Sequence, residues 1–383
     1  MASSLLDSNL TMNVNASSDV TNLSTTTAAS GSAERSTFEF VVNAIAAPIL
    51  YGIITLLGIA GNCLVIYVIL TRQKLQTVTN ILLFNLAVSD LSFVIICPPF
   101  TAYQMATKSW PFSGVFGEIL CKLMHYSLNV TVYVTIYTLV LISIVRYMTV
   151  VRGQQTQRYR TKKNVILTCV GIWIAMLLVN GYLIHYYKVV TYNGVPICDT
   201  EGYTFGRMHF IAFFAFAYLL PLLAIAVFSL RILRKIQTSK TTTFQKSNER
   251  NRQISRLLII VVVIFAVFWL PVHIHLICSY WGLMPTNNAY MAVSFLFNGL
   301  AYCNSCVNPI IYNYTSKDFR ESFREVAFCK RGVKYGDQDH GVEKTEMTVD
   351  NGQQHRLLTP QHDADGADTV ITDGNHINGK STQ

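Results

Sequence analysis

The sequence predicts an all-α protein, a bundle of seven transmembrane helices with its N-terminus outside the cell and a short amphipathic helix on the cytoplasmic side. Three observations predict it. First, 51% of the 383 residues are apolar and only 13% are charged, against about 25% charged in soluble domains. Second, the apolar residues gather into seven runs, at about 42–70, 80–104, 118–150, 164–187, 207–234, 255–280 and 289–314. Third, the basic residues crowd every other connection between these runs.

Residues 1–41 precede the bundle. They are rich in Ser, Thr and Asn and show no periodicity, a composition that cannot bury a core and is expected to be disordered. Three glycosylation sequons, at Asn9, Asn15 and Asn22, place this tail outside the cell. A fourth match at Asn129 falls inside an apolar run and is expected to be inaccessible. The first forty residues lack a basic start and an apolar core, so the first span is expected to serve as the insertion signal.

Each run of residues 42–314 is long enough to cross about 30 Å of hydrocarbon as a helix. Without water, a span must satisfy its own backbone, which leaves helices or a closed barrel; ten-residue alternations of the barrel type are absent. The first, third and fifth connections carry Arg72 and Lys74; Arg152, Arg158, Arg160, Lys162 and Lys163; and Lys235, Lys240, Lys246, Arg250 and Arg252. The others are nearly neutral, so the basic connections lie in the cytoplasm and the N-terminus lies outside. That segregation also argues against nucleic acid as the partner behind the net charge of +9.

Polar residues inside spans are costly and mark function. Asp90 is the one acid of the second span, and a lone buried carboxylate must be protonated, paired or bound to a cation. Asn62, Thr135, Asn304, Ser305 and Asn308 are positioned to converge on it. Cys121 opens the third span and Arg146 follows twenty-five residues later, roughly 37 Å along a helix, so the two face opposite sides of the membrane. Cys198 lies in the second outer connection, where a bond to Cys121 would tie that loop to the third span. Cys303 and Cys306 read as small packing residues. Pro271, after Phe268-Trp269-Leu270, and Pro309, in Asn308-Pro309-Ile310-Ile311-Tyr312, each remove a helical hydrogen bond and offer hinges.

Residues 315–329 read as an amphipathic helix on the inner membrane surface, with Phe319 and Phe323 on one face. Cys329 beyond it is a candidate for palmitoylation, a bare thiol being the alternative. Residues 330–383 are polar and are expected to form a disordered cytoplasmic tail.

Over residues 42–330 the chain resembles the rhodopsin-like G-protein-coupled receptors. The matching residues are Gly61-Asn62, Leu86-Ala87-Val88-Ser89-Asp90, Cys121 with Arg146-Tyr147, Trp173, Pro221, Phe268-Trp269-Leu270-Pro271 and Asn308-Pro309-Ile310-Ile311-Tyr312. The resemblance implies that Trp269 senses ligand, that Asp90 and its neighbours can hold an allosteric sodium ion, and that Arg146 engages the G protein. No other cofactor is implied. Within the family the chain is similar to peptide receptors of the galanin and allatostatin-A group. The carriers are Trp110-Pro111-Phe112, the stretch from Val132-Tyr133 to Tyr137-Thr138-Leu139-Val140-Leu141, Ala301 to Pro309, and Ser316 to Glu325. Receptors for somatostatin, opioid and kisspeptin peptides share much of this pattern and remain alternatives. An inhibitory G protein is implied first and the phospholipase-linked class second, with arrestin and membrane lipid as further partners.

The chain departs from the family at four points, one of them the absence of the usual fourth-span proline. Val145 stands where an acid usually precedes the arginine, Asn251 where a second acid opens the sixth span, and Ser229 where the fifth span carries a tyrosine. Arg146 is therefore expected to lack both usual partners, which leaves the resting state less restrained and raises basal signalling, restraint by Ser255 or nearby backbone being the alternative. Leu128 stands where amine receptors carry an aspartate, and Tyr302 where opsins carry a lysine. The outer ends of the spans offer Tyr103, Gln104, His125, Tyr126, Asn129, Tyr187, His273, His275, Tyr280, Trp281, Asn298 and Tyr302. Aromatic and hydrogen-bonding groups of this kind suit a neuropeptide with a neutral end. His273 and His275 cannot share a helix face, so at most one points into a pocket. A transporter is the rival from another class, but repeated halves with broken spans are not seen. An enzyme would need a nucleophile, metal or phosphate motif, and none occurs.

Overall fold

A computed structural model describes residues 37–200, 202–238, 245–284 and 288–327. The sequons at Asn9, Asn15 and Asn22, the thiol of Cys329 and the tail 330–383 lie outside the described residues. The chain forms seven long helices: α1 Thr37–Thr71, α2 Val78–Thr107, α3 Gly114–Val150, α4 Lys162–Tyr186, α5 Thr204–Thr238, α6 Gln245–Tyr280 and α7 Asn288–Thr315. The short helix α8, Lys317–Ala327, follows. In α1 to α6 there are six helices long and apolar enough to cross a membrane by length and composition. Helix α7 is the more polar seventh span, and it buries its Asn298, Asn304, Ser305 and Asn308 side chains.

Local chemistry sets the helix ends. Thr77 caps α2 by accepting from the Asn80 N–H, and Thr161 caps α4 by accepting from the Asn164 N–H. Helix α2 stops at Lys108, whose left-handed backbone (φ 54°) ends the ladder. Lys108 there pairs with Glu39 of α1. Two π-helical turns, Val41–Ala46 and Ala215–Leu219, lie just before Pro48 and Pro221. Each proline lacks the N–H that the preceding turn would have used, and the wider turn absorbs the mismatch.

Helix α3 is the axis of the bundle, with buried residues from Gly117 to Arg146. Asn85 of α2 ties its neighbours together, donating to Thr138 of α3 at 2.7 Å and accepting from Trp173 of α4 at 3.0 Å. Large apolar side chains such as Leu56, Leu178 and Leu223 point outward, as a hydrocarbon solvent requires. At the inner end Phe319 and Phe323 of α8 are buried, Phe319 against Tyr312. Arg72 and Lys74 pair with Glu325 and Glu321 of that helix at 2.9 and 3.8 Å.

The expected all-helical bundle has one addition. Tyr187–Tyr192 (β1) and Val195–Thr200 (β2) form an antiparallel hairpin in the second outer connection, with Val189 opposite Cys198. Its turn is Asn193-Gly194, both with positive φ (49° and 82°), the geometry of a type I′ turn that Asn-Gly favours.

Candidate functional site

The outer cup is built on α3. The Cys121–Cys198 disulfide holds β2 over the start of that helix, with Cα atoms 5.6 Å apart. One turn further in, the His125 ring stacks on Tyr187 of β1 at 3.9 Å. Tyr280, at the outer end of α6, closes the other side. Its hydroxyl donates to Asp199 of β2 at 3.3 Å and its ring packs on Phe210 of α5. Gly206 lets α5 approach that ring, since a Cβ there would collide with it. Gln104 is half-buried on α2.

Deeper side chains line up by helix face. His273 points to α5, 4.9 Å from the Phe213 ring, and lies 6.0 Å from Trp269. His275 points the other way and bonds Ser294 of α7 at 2.9 Å. The two histidines thus diverge, as their spacing requires. Tyr302 is capped by Thr101 at 2.8 Å and packs on Tyr51 and Phe93. Asn298 is buried and donates to the Ser294 carbonyl. Tyr126 donates to the Leu177 carbonyl of α4 and so faces away from the cup, while Trp281 is half-exposed beneath the Arg207 guanidinium. The buried atoms with no hydrogen-bond partner among the described residues include His125 Nε2, Asn129 Oδ1, Trp269 Nε1 and His273 Nε2. Buried polar atoms normally find partners, so this set can still bond a ligand through donors and acceptors.

Below Trp269 lies the polar core. Asp90 accepts from Ser305 at 2.9 Å and from Asn308 at 2.7 Å. Asn62 donates to the Ser305 carbonyl at 3.0 Å, and Thr135 shares a hydrogen bond with Ser89 at 2.9 Å. Asp90, Thr135, Asn304 and Ser305 line a small cavity together with Trp269, Phe265 and Phe93. The space open to the centre of a water-sized sphere is about 10 Å³, near the lower limit for one water or one small ion. No cation pairs with Asp90 among the described residues.

The inner end holds the arginine. Arg146 is 6% exposed, and its Nη2 donates to Thr79 Oγ1 on α2 at 2.5 Å. Val145 is buried beside it. The Tyr147 ring packs on Phe228 of α5, and its hydroxyl lies by Arg152 and Arg231. Both expected hinges sit inside continuous helices, Pro271 in α6 and Pro309 in α7. Tyr218 of α5 bonds the Ala266 carbonyl just inside the first, and Gly61 of α1 lies against the ring of the second. Tyr312 is buried on Phe319.

Three contributors are absent from the sequence reading. The β1–β2 hairpin is signalled by Asn193-Gly194 between Val-, Thr- and Tyr-rich runs. Gly206 and Thr79 carry no local signal, because their partners are distant in sequence.

Residues 61–312 match a family described as "7 transmembrane receptor (rhodopsin family)". The chain is 32% identical to an allatostatin-A receptor of Bombyx mori over 315 residues, 80% of this chain and 85% of that protein. It is 32% identical to galanin receptor type 2 of Homo sapiens over 286 residues, 74% of this chain and 73% of that protein. It is 31% identical to somatostatin receptor type 5 of Bos taurus over 300 residues, 77% and 80% of the two chains.

Proposed function

Because this chain belongs to the rhodopsin family of seven-transmembrane receptors, a multi-pass cell-membrane protein and not an enzyme, we propose that it binds an extracellular neuropeptide of the allatostatin-A or galanin type and activates a heterotrimeric G protein. The observation that carries the peptide reading is the outer cup. Its unsatisfied atoms on His125, Asn129, Trp269 and His273 are a mixed set of hydrogen-bonding groups among aromatic rings, suited to the backbone and neutral end group of a peptide. Leu128, on the same helix, has no charge to offer an ammonium ligand.

The mechanism is a population shift, in which ligand binds the active arrangement more tightly than the resting one. Trp269 stands between the cup and the Asp90 cavity. A ligand pressing on it biases α6 about Pro271, which opens the inner end beside Arg146. The oxygen atoms around Asp90, from Thr135, Asn304 and Ser305 side chains, form a hard donor set that fits a sodium ion. The inhibitory class of G protein is the first choice and the phospholipase-linked class the second, with arrestin as a later partner.

Cells expressing the chain, exposed to allatostatin-A-, galanin-, somatostatin-, opioid- and kisspeptin-type peptides with cAMP and calcium readouts, test this. An allatostatin-A or galanin peptide should act at the lowest concentration, and a fall in cAMP identifies the inhibitory class. A response confined to somatostatin-type peptides would replace the subgroup, a reading that the bovine somatostatin receptor match favours next. Solute or ion flux through the purified chain in liposomes, with no peptide response, would overturn the receptor reading itself.

A further inference from the structure

Arg146 is the one buried Lys or Arg side chain among the described residues. A buried guanidinium needs hydrogen-bond acceptors, and the residue before it, Val145, supplies none from its side chain. One acceptor that the structure provides is the Thr79 hydroxyl, 67 residues away on another helix. Thr79 is the second residue of α2, on a firm mount. Thr77 caps the same turn, its carbonyl takes the Ile81 N–H at 2.9 Å, and Leu75 just before it is 1% exposed.

We propose that Thr79 is the positioning residue that holds Arg146 in the resting state and thereby sets ligand-free signalling. This rests on the receptor reading above. The contact joins α3 to α2, and not to α6, the helix with the Pro271 hinge. Opening of α6 therefore does not by itself break it. Arg146 becomes available to a G protein only when its own side chain leaves Thr79, so this restraint on the arginine is separate from the Pro271 hinge. A hydrogen bond to a charged group biases such an equilibrium by roughly tenfold or more. Removing it raises the active fraction, and any ligand that prefers the active state gains affinity by a related factor.

The test compares wild type, Thr79→Val, Thr79→Ala and Thr79→Ser, each purified and matched for folded receptor. Ligand-free affinity for G protein and basal nucleotide exchange are measured, with agonist-peptide affinity alongside. Thr79→Val and Thr79→Ala should raise basal exchange and peptide affinity together, roughly tenfold or more, and Thr79→Ser, which keeps the hydroxyl, should match wild type. Adding Val145→Asp to Thr79→Val should return basal exchange to the wild-type level or below, because the carboxylate supplies the missing acceptor. If one truncated variant fails to fold, the other and the double variant decide the matter. Basal exchange unchanged in Thr79→Val and Thr79→Ala, with a normal wild-type response to peptide, overturns the role of Thr79 and leaves the receptor reading intact. A rise in basal exchange in Thr79→Ser equal to that in Thr79→Val and Thr79→Ala indicates a packing role and also overturns it. No G-protein engagement by any form, with or without peptide, overturns both.

Discussion

The Asp90 carboxylate accepts from Ser305 and Asn308 in a cavity that Trp269 also lines. Each bond leaves lone pairs on the oxygen atoms, and a small cation resting among Asp90, Thr135, Asn304 and Ser305 would tie α2, α3 and α7 together. Such a cation favours the resting arrangement, since closing or reshaping the cavity would displace it. Raising sodium at constant ionic strength should then weaken agonist-peptide binding in wild type, by about fivefold or more if the coupling is of ordinary size. Asp90→Asn keeps a hydrogen-bonding group of the same shape but no charge, and should abolish that dependence. Peptide competition binding in sodium chloride against an organic-cation chloride checks it, and an unchanged sodium effect in Asp90→Asn would place the ion elsewhere. The residues of this core were legible in the sequence because a polar group in an apolar run is conspicuous. Asn62, Asp90, Thr135, Asn304, Ser305 and Asn308 lie on four spans, yet each is an anomaly in its own segment. Thr79 was not legible for the opposite reason. A threonine in the first turn of a helix is ordinary, and only the fold brings Arg146 to it.

At the scale of elements, α5 and α6 meet at their outer ends through one close approach. Gly206 has the Tyr280 ring where a side chain would stand, and Arg207 Nε next to it donates to the Tyr280 carbonyl at 2.9 Å. The ring in turn reaches Asp199, so α5, α6 and the β1–β2 hairpin share one aromatic bolt. Gly206→Ala places a methyl group where the ring lies. The ring is the far end of a side chain and can move, so the variant should still fold, but the hydroxyl would leave Asp199. Peptide affinity should fall roughly tenfold, equivalent to about 1.4 kcal/mol, with basal signalling unchanged, as measured by saturation binding beside ligand-free nucleotide exchange. Unaltered affinity would remove Tyr280 from the ligand site. The prolines of α6 and α7 were readable as interruptions from sequence, and the structure keeps both helices continuous through them. The π-helical turns before Pro48 and Pro221 were not readable, because a proline shows where a bond is lost but not how neighbouring helices make room for the extra residue.

At the scale of the whole molecule, α3 links the two faces. Cys121 is bonded to the hairpin near its outer end and Arg146 meets α2 near its inner end. The pairing of Cys121 with Cys198 was open to sequence reasoning because both cysteines fall on the outer side once charge asymmetry sets the direction. What the bond holds was not, since the hairpin went unassigned. The bridge spans 77 residues of sequence, a loop whose closure removes about 4.5 kcal/mol of unfolded-chain freedom in the chain-entropy account. Its local work is to keep β1 over α3, where Tyr187 stacks on His125. If that is the function of both cysteines, they act as a unit. Cys121→Ser and Cys198→Ser should each lower peptide affinity by a similar factor, on the order of tenfold or more. The double variant should be no worse than either single one, because the second substitution removes a bond already lost. Peptide binding to solubilised receptor, normalised to folded protein, gives the three numbers. Losses that add would mean that the cysteines contribute separately, and the hairpin would then be held over the cup by its own packing, with Tyr187 on His125 and Tyr280 on Asp199 sufficient to keep it there.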